Sequence, residues 1–295
     1  MNDRRLRRRK LRERAAVALC VLALLLALLP LAHIMYTAIA IGGQKLSWTF
    51  LSQPAGGLIT GTEGGVLNAI TGTLILLFLG GLVAVPLGVV SGMYLADFGN
   101  GRLGAAIRAL GDTLLGVPSV IWGLFGWLLI ANTVSSFGLR WNLCALSGGL
   151  ILGLIMTPIV ARVTELSLRD VPLAIREASL ALGATRWDTM RRVVLRVGLP
   201  GIVTGVLLAL TNALGQTVAL IFVNGYTPSL PHWPIVGQNN SVTDMGSMIY
   251  VYLNQANPKL QPPAEAAVIV LLAFVLCLSL LSRALLAVGR RTYGS

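Results

Sequence analysis

The chain has 295 residues, is 55% hydrophobic and only 12% charged, and has a mean hydropathy of +0.78, which excludes an ordinary soluble domain. Its formal net charge of +12 would point to nucleic acid in a soluble protein. The densest basic run, Arg4 to Arg14, instead stands directly before the first apolar stretch, where positive charge marks the cytoplasmic side of a membrane span, so the expected surroundings are a lipid bilayer and not nucleic acid.

A hydrocarbon core of about 30 Å needs about 20 apolar residues per helix. Six runs meet this requirement, near 16–41, 68–95, 109–133, 143–163, 198–223 and 264–288. They divide the chain into a basic N-terminal segment (1–15), a transmembrane domain (16–288) and a short tail (289–295). The first run is longer than the apolar part of a secretory signal and no clear cleavage site follows, so it is read as an anchor that stays. Six spans put both termini on one side. With the N-terminus inside, only Lys45, Arg140 and Lys259 among the basic residues fall outside, and only Glu63, Asp244 and Glu265 among the acids. The whole +12 then lies inside, which fixes the orientation.

The outer segments 42–65 and 224–263 are rich in turn formers, and only Met245 to Leu253 reads as regular. These surfaces suit either a partner or solvent. Pro86 and Pro118 fall within the second and third spans, as packing kinks or as hinges. Gly80, Gly81, Gly88 and Gly92 recur near helical spacing and predict close helix contact. Cys20, Cys144 and Cys277 lack metal or redox spacing and read as buried small hydrophobes.

The chemistry of a membrane enzyme is absent. There are two histidines, His33 and His232, and no HExxH or GxSxG pattern, so neither catalytic nor metal-ligating residues are expected. No GxxxxGK[ST] occurs either, and Lys10, Lys45 and Lys259 are the only lysines. Any ATP that drives this chain, with its Mg, is therefore bound by another subunit.

One stretch stands out against this apolar background: Arg176 to Pro200, inside a polar connection running from about 164 to 197. Its residues predict two short helices broken around Leu182 to Thr185, with Pro172 at a first turn and Gly183 as a stop. The second would run from Trp187 and expose Arg191, Arg192 and Arg196. Glu177-Ala178-Ser179, then Gly183, then Val193 and Leu195 resemble the EAA loop of ABC importer permeases, with Arg196 where many members carry proline. The resemblance implies an all-α, type I permease with six transmembrane helices, whose loop docks on an ATPase subunit through Glu177, Ala178, Ser179, Gly183, Val193 and Leu195.

From about residue 66 to 222 the likeness narrows to the permeases of the phosphate-specific importer, closer to the PstA type than to PstC. It implies a cytoplasmic (inner) membrane location and three kinds of partner: a PstC-like second permease, a PstB-like ATPase dimer and a PstS-like solute-binding protein. Arg162 and Glu165 match the R-x-x-E of that family's fourth span. In the fifth span the family's arginine and glutamate are replaced by Asn212 and Gln216, which the i, i+4 spacing puts on one helix face. With Thr217, Arg162 and Glu165 they are candidates for the translocation path, the alternative for the two amides being a hydrogen bond to a helix of the partner permease. Two amides avoid the cost of a buried ion pair, and losing both charges leaves phosphate possible. The other readings are a phosphonate, molybdate or tungstate importer, or a non-conducting sensor or scaffold.

Overall fold

The computed structural model describes residues 3–56, 64–128, 144–232 and 241–293. All regular structure among them is helical. In chain order the helices are α1 (Asp3–Thr37), α2 (Trp48–Ser52), α3 (Leu67–Asp97), α4 (Arg102–Gly116), α5 (Ser119–Phe125) and α6 (Ala145–Arg169). The rest are α7 (Leu173–Ala181), α8 (Arg186–Ala213), α9 (Thr217–Asn224), α10 (Met245–Asn254) and α11 (Gln261–Tyr293).

Five helices, around α1, α3, α6, α8 and α11, are long and apolar enough to cross a membrane, and α4 with α5 makes a sixth span if the bent pair counts as one. That pair makes the kink or hinge expected at Pro118 a full break and moves the start of the third span from 109 to 102. Helix α4 begins at Arg102, and the chain turns by 101° between it and the segment from Ser119. Pro118 has no amide hydrogen to continue the ladder and stands just before Ser119 with φ −58°. Pro86 lies inside an unbroken α3. The end of the expected third span (129–133), the start of the fourth (143), and outer residues Glu63 and Arg140 lie outside the described residues.

The core is built on α3 against α6. A Cβ on Gly88 would stand 2.6 Å from Val160 Cβ, and one on Gly92 2.5 Å from Thr164 Cβ. Gly80 meets Leu152 at 3.2 Å. The missing side chains let the two backbones approach, and in lipid that close packing replaces the hydrophobic drive available in water. Gly81 does not belong to the seam: nothing lies within 4 Å of its would-be Cβ. Leu76, Leu152, Met156, Val160 and Ala209 close the centre, with α8 as the third wall.

Two further expectations need correction. Helix α8 does not begin at 198: the segment from Arg186 continues through a π-helical turn (Thr189–Val194) into the span, so the second half of the polar connection is the base of a membrane helix. Cys20 and Cys277 are exposed on the surfaces of α1 and α11, and Cys144 alone is buried. Exposure there is general, since none of the most apolar stretch of α1 is buried within the chain. Such a surface is stable only against lipid or another subunit.

Candidate functional site

The polar connection forms a knob. Helix α7 starts after Pro172, which stands at the cap and not within the first turn, and buries none of its residues. It ends at Gly183, whose φ of +86° is a left-handed conformation that costs little without a Cβ. Gly183 N–H donates to Leu180 O (3.0 Å) and Ala184 N–H to Ser179 O (3.3 Å), the bond pair of a Schellman cap. Thr185 then opens α8 by accepting from Asp188 N–H at 3.1 Å.

Glu177, Ala178 and Gly183 are exposed, and so are Leu182 (89%) and Trp187 (55%). Apolar side chains displayed on a polar knob are the anatomy of an interface. Ser179 is turned inward, sharing a 2.9 Å hydroxyl bond with Thr189. Val193 is half-buried, and Leu195 packs with Met93, Leu168, Met190 and Val194. Of the six expected docking residues, Glu177, Ala178 and Gly183 are presented together, Ser179 and Leu195 are engaged by the body, and Val193 stands half-buried between.

Beneath the knob lies a cluster in which the path candidates Arg162 and Glu165 are joined by arginines counted only for topology in the sequence. Glu165 of α6 is 1% exposed, and three arginines converge on it. Arg108 of α4 bonds Oε1 at 2.9 Å, Arg169 reaches the same oxygen at 2.9 Å, and Arg162 reaches Oε2 at 3.5 Å. Arg108 also donates to Gly99 O (2.9 Å) and Leu95 O (3.0 Å), and Arg169 to Leu95 O (3.2 Å). These carbonyls belong to the last turn of α3 and the bend after it, where helix hydrogen bonding runs out. Arg176 of α7 pairs with Asp97 and donates to Leu168 O at 2.6 Å. Four arginines therefore share two carboxylates. The family resemblance singled out Arg162 with Glu165; Arg108 lies 57 residues away.

The other expected residues sit elsewhere. Gly201 of α8 abuts Ser167 and Gly205 abuts Val163, so Asn212 lies about 13 Å farther along α8 than the level of Glu165, at 1.5 Å per residue. Gln216 Nε2 donates to Asn212 Oδ1 at 3.2 Å. The pairing follows the expected spacing, but the two do not share one continuous helix: α8 stops at Ala213, and α9 restarts at Thr217 after Gln216 (φ −84°, ψ 43°). The amide bond spans that interruption, with Asn212 exposed and Gln216 half-buried. Thr217 is half-buried against Gly246 of α10.

Asp244, counted before only as an outer acid, caps α10. Ser247 N–H donates to its Oδ2 at 3.0 Å, and the Ser247 hydroxyl bonds Oδ1. Burial raises its carboxyl above the ordinary value, against the lowering effect of those bonds.

Residues 84–291 match the family described as binding-protein-dependent transport system inner membrane component. The chain belongs to that family. Among its relatives, the phosphate transport system permease protein PstA of Haemophilus influenzae is 32% identical over 278 residues, covering 93% of this chain and 94% of that protein. PstA 2 of Mycobacterium bovis is 30% identical over 286 residues, covering 97% and 91%. Among solved structures, a bacterial ABC transporter involved in importing the acidic polysaccharide alginate superposes with a TM-score of 0.60 at 18% identity, over 95% of this chain and 99% of that one. The inward-facing MetNI methionine ABC transporter gives 0.57 at 19% identity, over 79% and 95%. The fold of this permease is thus that of type I ABC importers, and it is a multi-pass membrane component of a binding-protein-dependent transport system.

Proposed function

We propose that this permease moves inorganic phosphate inward as the PstA-type half of a phosphate importer. It would lie in the cytoplasmic membrane with both termini and the α7 knob inside, paired with a PstC-like permease. A PstS-like protein would deliver phosphate outside, and a PstB-like ATPase dimer, holding ATP and Mg, would receive the knob below. This chain would then bind no nucleotide and catalyse no reaction of its own.

The observation that carries the reading is the end-to-end likeness to phosphate permeases, at 30–32% identity over more than nine-tenths of each chain. The geometry supplies a path chemistry that suits it. At the break between α8 and α9, Asn212 and Gln216 offer amide donors without charge, and the start of α9 brings the positive end of its dipole to the same place. An anion can pass such a site without being held by a fixed cation. Nearer the inside, Arg162 contacts Glu165 only at 3.5 Å and is half exposed, so it can turn to a departing anion.

The knob supports ATP coupling: Glu177, Ala178 and Gly183 are presented, and Ser179 and Leu195 set its pose. The test is ATPase stimulation in the reconstituted complex, with binding protein loaded in turn with phosphate, a phosphonate, molybdate or tungstate. Stimulation by phosphate at least tenfold above the others supports the proposal. Preference for another anion reassigns the cargo, and stimulation by none favours a non-conducting sensor.

A further inference from the structure

The geometry points to Arg176 as the residue that transmits movement of the α7 knob to the membrane helices, a positioning role separate from ATPase docking. The inference rests on α7 being the ATPase contact. Helix α7 buries none of its own residues, so the grip of the body on it is local. Ile175 rests on the edge of the Leu168–Val171–Met190 cluster, and Ser179 is tied to Thr189. The only described ion pair between α7 and another helix is Arg176 with Asp97.

That guanidinium reaches two helices at once. One nitrogen holds Asp97, the last residue of α3, and the other donates to Leu168 O in the last turn of α6 at 2.6 Å. Both partners are half-buried or better shielded, the side chains of Arg176 and Asp97 being 16% and 17% exposed, so water competes weakly for the contact. A planar fork bonding two fixed groups resists rotation as well as extension.

The contact continues inward. Two residues before Asp97, Leu95 O accepts from both Arg108 and Arg169, and both pair with buried Glu165. Arg108 is carried by α4, the first limb of the pair that bends by 101°. A displacement of α7 therefore pulls the ends of α3 and α6 directly and reaches α4 through Arg108. The grouping ties the ends of α3 and α6 to α4 and α7 in one block, with Arg176 as its outermost link.

The test uses the complete reconstituted transporter. Arg176→Gln lowers phosphate moved per ATP hydrolysed at least tenfold, Arg176→Lys restores part of it, and a cysteine at Glu177 still cross-links to the ATPase in the Arg176→Gln background. An unchanged ratio, within twofold, overturns the role, and so does loss of that cross-link, which would make Arg176 a determinant of docking. Absence of any cross-link in the otherwise native chain overturns the docking reading itself, and this inference with it.

A second measurement does not depend on how well Arg176→Gln assembles. In a chain with Cys20, Cys144 and Cys277 replaced by alanine, Asp97→Cys with Arg176→Cys is uncoupled until a short bis-methanethiosulfonate joins the two positions through two disulfides, releasing methanesulfinate. Coupled uptake then returns and is lost again on reduction. Failure of the bridge to restore coupling overturns the rigid link.

Discussion

At the level of single residues, two carboxylates are buried in opposite ways. Glu165 is surrounded by three guanidiniums. Removing a partner from a buried ion pair costs about 3–5 kcal/mol, and Glu165→Ala should approach that range, read as a fall in thermal midpoint of the detergent-solubilised complex. Asp244 has no cationic partner among the described residues, and burial raises its carboxyl. A raised folded value means that the folded state holds its proton longer than the unfolded chain does. Stability from this group is therefore complete below the unfolded value, near 4, and declines as pH rises toward the folded value. Asn caps helices as well as Asp, so Asp244→Asn should raise the melting temperature at pH 7 and flatten its fall as pH rises above the unfolded value. A steeper fall in the variant would contradict this account.

At the level of helices, the α3–α6 seam depends on absent side chains. Gly88→Leu drives a side chain into Val160, where 2.6 Å already separates that atom from a would-be Cβ. Overpacking of this kind costs about 1–3 kcal/mol or more. Gly81→Leu, where the space is open, should leave the thermal midpoint within a degree or two, and the pair measured side by side checks the seam.

The same scale shows what could be read in advance. The spans were legible because hydropathy over about 20 residues is a strong signal, and Gly183 was legible as a stop because few residues tolerate its φ of +86°. The break after Ala213 was not, since apolar residues flank it on both sides and hydropathy has no term for an interrupted ladder. Pro118 marked the other break, but proline in a membrane helix is equally compatible with continuity, as Pro86 demonstrates. The Glu165 cluster was half legible: Arg162 and Arg169 lie at i−3 and i+4, whereas Arg108 and the Arg176–Asp97 pair arise only from the folding of distant segments.

At the level of the whole molecule, the chain is an incomplete object. Its first span buries none of its most apolar stretch, and apolar residues crown its knob, surfaces that a second permease and an ATPase would cover. The proposed cycle joins three places in this chain: the exposed knob, the arginine cluster beneath it, and the amide pair at the break in the fifth long span. Gly183→Arg, which strains a left-handed position by about 1–2 kcal/mol and puts charge on the docking face, should leave the protein in the membrane and sever ATP hydrolysis from uptake.

The most direct measurement is ATP-dependent accumulation of radiolabelled phosphate in proteoliposomes containing this permease, its partner permease and the ATPase, with the binding protein on the substrate side. The account predicts accumulation that requires both ATP and binding protein and is abolished by Gly183→Arg. Accumulation of another oxyanion in place of phosphate, or phosphate uptake that persists in Gly183→Arg with its full ATP dependence, would contradict it.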